Sequence, residues 1–149
     1  MRAVVQRVTW ARVLVDGWPA GAIERGLLAL VGVANDDGPA DVQYIAEKIL
    51  GLRIFDDGEG KMNLAVGDVG GAVLAVSQFT LQGDSRKGRR PAFDAAAPAP
   101  IARALYDDVV AVLRGSGLKI ETGVFQARMS VELANDGPVT LLLDSRRHF

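Results

Sequence analysis

The run from Leu27 to Val33 is almost entirely apolar and reads as a fully buried strand, so the fold must supply layers that cover it. Strand-like segments precede it at Arg2 to Thr9, Arg12 to Asp16 and Ala20 to Glu24. From Pro39 the period changes: Val42, Ile45, Ala46, Ile49 and Leu50 fall at helical spacing, with Asn35 to Asp37 as capping candidates and Gly51 near the end. Strand character returns at Arg53 to Phe55, Asp57-Gly58 supplies a turn, and Lys61 to Leu64 reads as a short strand. Ala72 to Leu81 then reads as one longer strand. The stretch Gln82 to Pro100, rich in Gly, Pro, Ala and basic residues, is long for a connector and is expected to form a substrate-facing loop. A second amphipathic helix carries Ile101, Leu105, Val109, Val112 and Leu113 on one face and stops at Gly115-Ser116-Gly117. Leu118 to Glu121, Ala127 to Leu133 and Val139 to Asp144 close the chain as strands. The pattern predicts a strand-rich, mixed α/β class with two main helices in a single domain, residues 1–144, and a flexible tail at 145–149.

Composition narrows the chemistry. At 149 residues and 49% hydrophobic, the chain can bury a core without disulfides or metals. It has no long apolar span and no charged-then-apolar leader, so a cytoplasmic protein with no membrane partner is expected. The absence of cysteine removes a disulfide framework, a thiolate nucleophile and Cys-ligated zinc. The only imidazole, His148, is the penultimate residue. A Ser-His-Asp or Cys-His arrangement therefore lacks its base, and a catalytic zinc lacks ligands. The acidic pairs Asp36-Asp37 and Asp56-Asp57 are conceivable Mg²⁺ ligands, but helix capping and turn formation account for them more simply. No glycine-rich stretch matches a Walker loop or a dinucleotide fingerprint, so neither metal nor cofactor is expected. The net charge of -1 gives no global pull toward nucleic acid. RNA contact must come from local clusters, either Arg86, Lys87, Arg89 and Arg90 or Arg146 and Arg147.

What remains is chemistry by backbone groups, hydroxyls and an amide, and Ser77-Gln78-Phe79-Thr80 offers all of these at the end of an apolar strand. Strand alternation puts Gln78 and Thr80 on one face and Ser77 and Phe79 on the other, with Phe79 anchoring in a core. An amphipathic strand end with polar groups in solvent is the plainer alternative. Gly137-Pro138 reads as a turn between the strands Met129 to Leu133 and Val139 to Leu143, preceded by Asn135-Asp136. Arg7 shares a strand face with Ala3 and Val5, so it points toward whatever that face buries and requires a partner there.

Taken together with Gln6-Arg7-Val8, Gly60-Lys61-Met62-Asn63-Leu64 and Gly88-Arg89-Arg90-Pro91, the two polar motifs resemble those of the D-aminoacyl-tRNA deacylases, an editing family, from Met1 to about Leu143. The resemblance implies a layered fold in which helices cover one face of a sheet that packs on a second sheet. It implies a homodimer acting on the acceptor end of aminoacyl-tRNA, with no DNA partner. Ser77, Gln78, Phe79 and Thr80 would line the pocket for the aminoacylated terminal adenosine, with Met129 and Asn135 among the substrate-binding residues. Gly137-Pro138 would be joined by a cis bond and reach into the partner subunit's site to screen chirality, braced by Arg7. The reaction would be hydrolysis of D-aminoacyl-tRNA, and of mischarged glycyl-tRNA, by positioning and backbone donors. Thr80 as a covalent nucleophile is the competing mechanism. A deacylase for a mischarged L-amino acid and a non-catalytic RNA-end binding module are the competing functions.

Overall fold

A single long strand organises the molecule. In the computed structural model, which describes residues 1–149, β1 runs from Arg2 to Val15 without interruption. The two strands expected at Arg2 to Thr9 and Arg12 to Asp16 are thus one. Along one edge β1 pairs antiparallel with β2 (Trp18–Ile23) and then β3 (Gly26–Gly32); along the other it pairs with β8 (Met129–Asp144). β6 (Ala72–Ser77) adds parallel to β3, and β7 (Ile120–Thr122) adds parallel to β6. The resulting six-stranded sheet curls toward a barrel. Its closure is tight enough that a Cβ at Gly21 of β2 would lie 2.5 Å from the Thr122 carbonyl oxygen of β7, so only glycine fits there. The second sheet is a two-stranded ribbon, β4 (Phe55–Asp56) with β5 (Met62–Leu64).

The two helices, α1 (Pro39–Gly51) and α2 (Ala99–Gly115), cover one face of the large sheet. There Ala3, Val5, Leu27, Ala29, Val31, Val73 and Ala75 meet Val42, Ile45, Ala46, Ile49, Val109 and Leu113 in the larger core. The opposite face buries Val8, Val13, Leu28, Leu74 and Val76 inside the curl. Each such Val, Leu or Ile side chain contributes about 1.5–3 kcal/mol on leaving water. The mixed α/β, two-helix, strand-rich class read from the sequence is the observed one, with helices layered on one face. The Leu27 to Val33 run is the core strand of both clusters, except that Leu30 is only half-buried.

Other details also differ from expectation. The N-cap of α1 is Gly38, whose N–H is held at 2.8 Å by the Asp41 carboxylate; Asn35 to Asp37 precede it. α2 buries Ala102, Tyr106, Val109, Val110 and Leu113, while Ile101 stays exposed. The stripe is rotated because the Tyr106 ring, with its hydroxyl donating to the Ala75 carbonyl at 2.9 Å, takes the place nearest the sheet. The strand from Ala72 ends at Ser77: Gln78 turns the backbone and Phe79–Gln82 form a 3₁₀ turn. Finally, the two last strands are one, β8, interrupted only by a local excursion around Gly137-Pro138. The segment 145–149, expected to be a flexible tail, makes defined contacts. The Ser145 hydroxyl receives the Met1 ammonium at 2.7 Å, Arg146 bonds Asp36, and His148 sits 3.3 Å from Asp144.

Candidate active site

A cavity of about 570 Å³ opens where β6 ends. Its walls come from four places: Val33 just past β3, Val76, Ser77, Gln78 and Phe79 at the β6 terminus, Ala97, Ala99 and Ala102 at the start of α2, and Phe125, Gln126, Ala127, Met129 and Val131 leading into β8. The apolar character suits a flat ring or an aliphatic chain, and the polar groups sit at one lip.

The turn after Ser77 decides what those polar groups are. Gln78 has left strand geometry, so the expected alternation of faces stops there and Phe79 is not anchored in the core. It is 56% exposed and meets Phe93 edge-on, with ring centres 5.1 Å apart. Thr80 is exposed and is absent from the cavity wall; its hydroxyl accepts a hydrogen bond from the Gln78 side-chain amide at 2.5 Å. The first bond of the 3₁₀ turn runs from Leu81 N–H to the Gln78 carbonyl. The N–H groups of Phe79 and Thr80 precede that first bond and so have no partner within the turn. The turn is fixed from behind: Gln78 N–H donates to Val31 at 2.8 Å, and the buried Gln82 amide donates to Gly32 at 2.8 Å.

No titratable side chain lines this cavity. Nowhere in the chain do three His, Cys, Asp or Glu side chains gather as metal ligands would. Asp36 and Asp37 bind Arg146 and the Met1 ammonium, and Asp57 caps its own turn through the N–H groups of Glu59 and Lys61. Those two backbone hydrogen bonds, Lys61 first, hold the Asp57 carboxyl below its ordinary value.

Gly137-Pro138 lies elsewhere. Opposite β1, the β8 register jumps from Val8↔Asn135 to Gln6↔Thr140, so Asp136 to Val139 leave the ladder as an outward excursion rather than a hairpin between two strands. The Gly137–Pro138 peptide is cis and both residues are exposed. Gly137 has φ +122, and a Cβ there would fall 2.8 Å from Val139 Cγ2 and 3.0 Å from Arg7 Nη2. Asn135 closes the base of the excursion: its amide donates to the carbonyls of Arg7 and Val139 at 2.9 and 3.0 Å. Arg7 is 7% exposed, on the face it shares with Ala3 and Val5. It donates to the Ile54 carbonyl at 2.7 Å and the Asp136 carbonyl at 3.2 Å, and pairs with the Asp136 carboxylate at 3.2 Å. Of the residues singled out in the sequence, the fold thus brings Ser77, Gln78, Phe79 and Met129 to one cavity. Arg7, Asn135, Gly137 and Pro138 form a separate cluster.

The two clusters are distinct within one chain. Asn135 pairs with Val8 and Met129 with Val15, seven positions apart along β1, and none of Arg7, Asn135, Gly137 and Pro138 lines the cavity. The cavity residues missed in the sequence were Phe125, Gln126 and Ala127, together with Ala97, Ala99 and Ala102. One signal was present: the Ala-Pro run before α2 supplies side chains too small to fill the space between helix and sheet, whereas Phe125 to Ala127 form a turn, with Gln126 at φ +64, that no local pattern marks.

A mixed α/β domain with a largely apolar cavity that holds two amides and a hydroxyl, and without an acid–base pair, has close counterparts among solved structures. One, the c-Myc DNA Unwinding Element Binding Protein, superposes with a TM-score of 0.91 at 42% identity, covering 97% of this chain and 98% of that one. Another, described as a probable eukaryotic D-amino acid tRNA deacylase, has a TM-score of 0.81 at 18% identity over 95% of this chain and 97% of that one, and shares the fold. Residues 4–144 match the family model of the D-Tyr-tRNA(Tyr) deacylases, and the chain belongs to that family of hydrolytic enzymes. Sequence relatives named D-aminoacyl-tRNA deacylase, from Anaeromyxobacter dehalogenans (strain 2CP-C) and Koribacter versatilis (strain Ellin345), are each 64% identical over 149 residues. One from Thermotoga petrophila is 58% identical; all three matches cover 100% of both chains.

Proposed function

We propose that this protein hydrolyses the ester joining a D-amino acid, or glycine, to the 3′ end of tRNA, and that each active site of a homodimer is completed by the partner subunit's Gly137-Pro138 loop. The observation that carries the cross-subunit part is that the two clusters are distinct within one chain: none of Arg7, Asn135, Gly137 and Pro138 lines the cavity, whose β8 residues Met129 and Val131 lie at the start of that strand while the loop leaves its middle. The loop also projects outward, with both residues exposed, as a segment that enters a neighbour would. The sheet face beside it supports a second copy. Leu142, Val4 and Leu30 stand side by side across β8, β1 and β3, and Leu142 is 60% exposed.

In this reading the terminal adenosine occupies the apolar cavity and the ester carbonyl reaches the lip. The N–H groups of Phe79 and Thr80 donate to the developing oxyanion, each such donor being worth roughly 3–4 kcal/mol. Gln78 holds the Thr80 hydroxyl in place. No side-chain base stands in the cavity, so the free 2′-hydroxyl of the terminal ribose orients or activates the attacking water. The remaining catalysis is positioning. Backbone carbonyls of the partner's loop accept from the α-ammonium, and the loop backbone occupies the side on which an L substituent would project. A D substituent points outward, and glycine has none to exclude. Loss of the chiral filter would leave an enzyme for L-aminoacyl esters, and loss of turnover would leave an RNA-end binder.

Mixing two defective proteins tests this reading. One carries Gln78→Ala together with Phe79→Ala, the other Gly137→Ala. A heterodimer joins one intact cavity to one intact loop, so activity on D-tyrosyl-tRNA should return to at most half the wild-type level per dimer. Heterodimers verified by mass that stay inactive would put loop and cavity in the same subunit's site and end the cross-subunit reading.

A further inference from the structure

We propose that Arg103 is a substrate-binding residue at the mouth of the cavity and contacts the phosphodiester that joins the aminoacylated adenosine to the nucleotide before it. The inference rests on the deacylase reading of the cavity. Arg103 belongs to the first turns of α2, where Ala99, Ala102 and Arg103 fall on one stripe at i, i+3 and i+4. Ala99 and Ala102 line the cavity, so Arg103 stands at its rim. Its guanidinium lies 5.2 Å from the centre of the Phe125 ring, itself a cavity wall. Phe125 is backed in turn by Tyr106 at 6.1 Å, whose hydroxyl is fixed to the Ala75 carbonyl of β6. The cation is thus held by a ring that cannot compete for its N–H donors.

Arg103 is exposed, and none of the ion pairs in the chain includes it. By contrast, Arg86 in the basic loop is fully engaged with Asp84 through two side-chain hydrogen bonds. A positioned arginine with unspent donors matches an anion with paired oxygens, and phosphate is the anion every nucleotide-terminated substrate carries next to its terminal sugar. The N-terminal end of α2, which opens on the same rim, adds positive potential. An aminoacylated adenosine without that phosphodiester would fill the cavity yet leave Arg103 without a ligand.

Steady-state kinetics on two substrates test the assignment, comparing D-tyrosyl-tRNA with D-tyrosyl-adenosine for the wild type, Arg103→Gln and Arg114→Gln. Arg114 is exposed on the same helix, eleven residues or about 16 Å further along, and controls for the lost charge. Arg103→Gln should raise KM for the tRNA roughly tenfold or more at low salt with kcat preserved, and leave KM for the adenosine ester unchanged. The slope of log KM against log salt should fall by about 0.7, the value for one phosphate of a single strand. Arg114→Gln should match the wild type on both. An equal rise on both substrates would make Arg103 a support for Phe125 and overturn the proposal, as would no change on either. Wild-type protein inactive on both esters would instead remove the deacylase reading itself.

Discussion

Thr80 is the residue at which two mechanisms part. Its hydroxyl is exposed and accepts a hydrogen bond from Gln78, and no histidine or carboxylate hydrogen-bonds it to remove its proton. A serine or threonine nucleophile without a base is weak. Thr80→Ala should therefore keep kcat within about tenfold of wild type, since the backbone donors survive the change. Loss of a factor of about 10⁴ or more, or an acyl-enzyme trapped on Thr80, would favour covalent catalysis. Gly137 is the second telling residue. At φ +122 an L side chain is strained, and its Cβ would press on Val139 and Arg7. Gly137→Ala should cost about 1–3 kcal/mol in urea unfolding and depress activity further than stability. An unchanged rate on D-tyrosyl-tRNA would separate the loop from the reaction.

At the scale of elements, the end of β8 is fastened by charge. Burial works against the Asp144 carboxylate, yet the Arg146 N–H, the Arg2 guanidinium at 3.2 Å and the nearby His148 outweigh it and hold its pKa below the ordinary 3.8. Asp41, at the start of α1, is lowered in the same way: burial opposes ionisation, but Ser145 and the Gly38 N–H prevail. A carboxylate depressed in the folded state adds stability above its unfolded value, and that stability is lost as pH falls through the folded value. The melting temperature should thus drop below about pH 4, and Asp144→Asn should be destabilising at pH 7 with a penalty that shrinks as pH falls below that value. A penalty that does not shrink would show that geometry, rather than charge, holds this end together.

The elements themselves were largely legible. Hydrophobic period identified both helices and nearly every strand, because burial on one face leaves its mark residue by residue. It failed where a tertiary constraint overrode the local pattern. Val76-Ser77-Gln78-Phe79 alternates like a strand, but the hydrogen bonds from Gln78 to Val31 and from Gln82 to Gly32 turn the chain at its end. Gly137-Pro138 reads as a hairpin turn, but pairing of both flanks to the same long β1 makes it an excursion within one strand. The Ala-Pro run before α2 hinted at its wall, but the Phe125 wall was invisible, because it sits on a turn whose place against the cavity is set by the fold and no local pattern encodes that.

For the whole molecule, the relevant geometry is a pocket at the end of β6, an exposed loop that leaves the middle of β8, and an apolar row between β8 and β3 that includes the exposed Leu142. The proposed symmetric pair would account for all three features at once: each copy would cover the other's apolar row and lend its loop to the other's cavity. Chirality then becomes a steric property of the assembled site, readable only on matched substrates. The most direct measurement compares single-turnover deacylation of D-tyrosyl-tRNA and L-tyrosyl-tRNA by the same wild-type dimer. Fast hydrolysis of the D ester with the L ester decaying no faster than without enzyme is the expected result. Equal rates on the two enantiomers would contradict it.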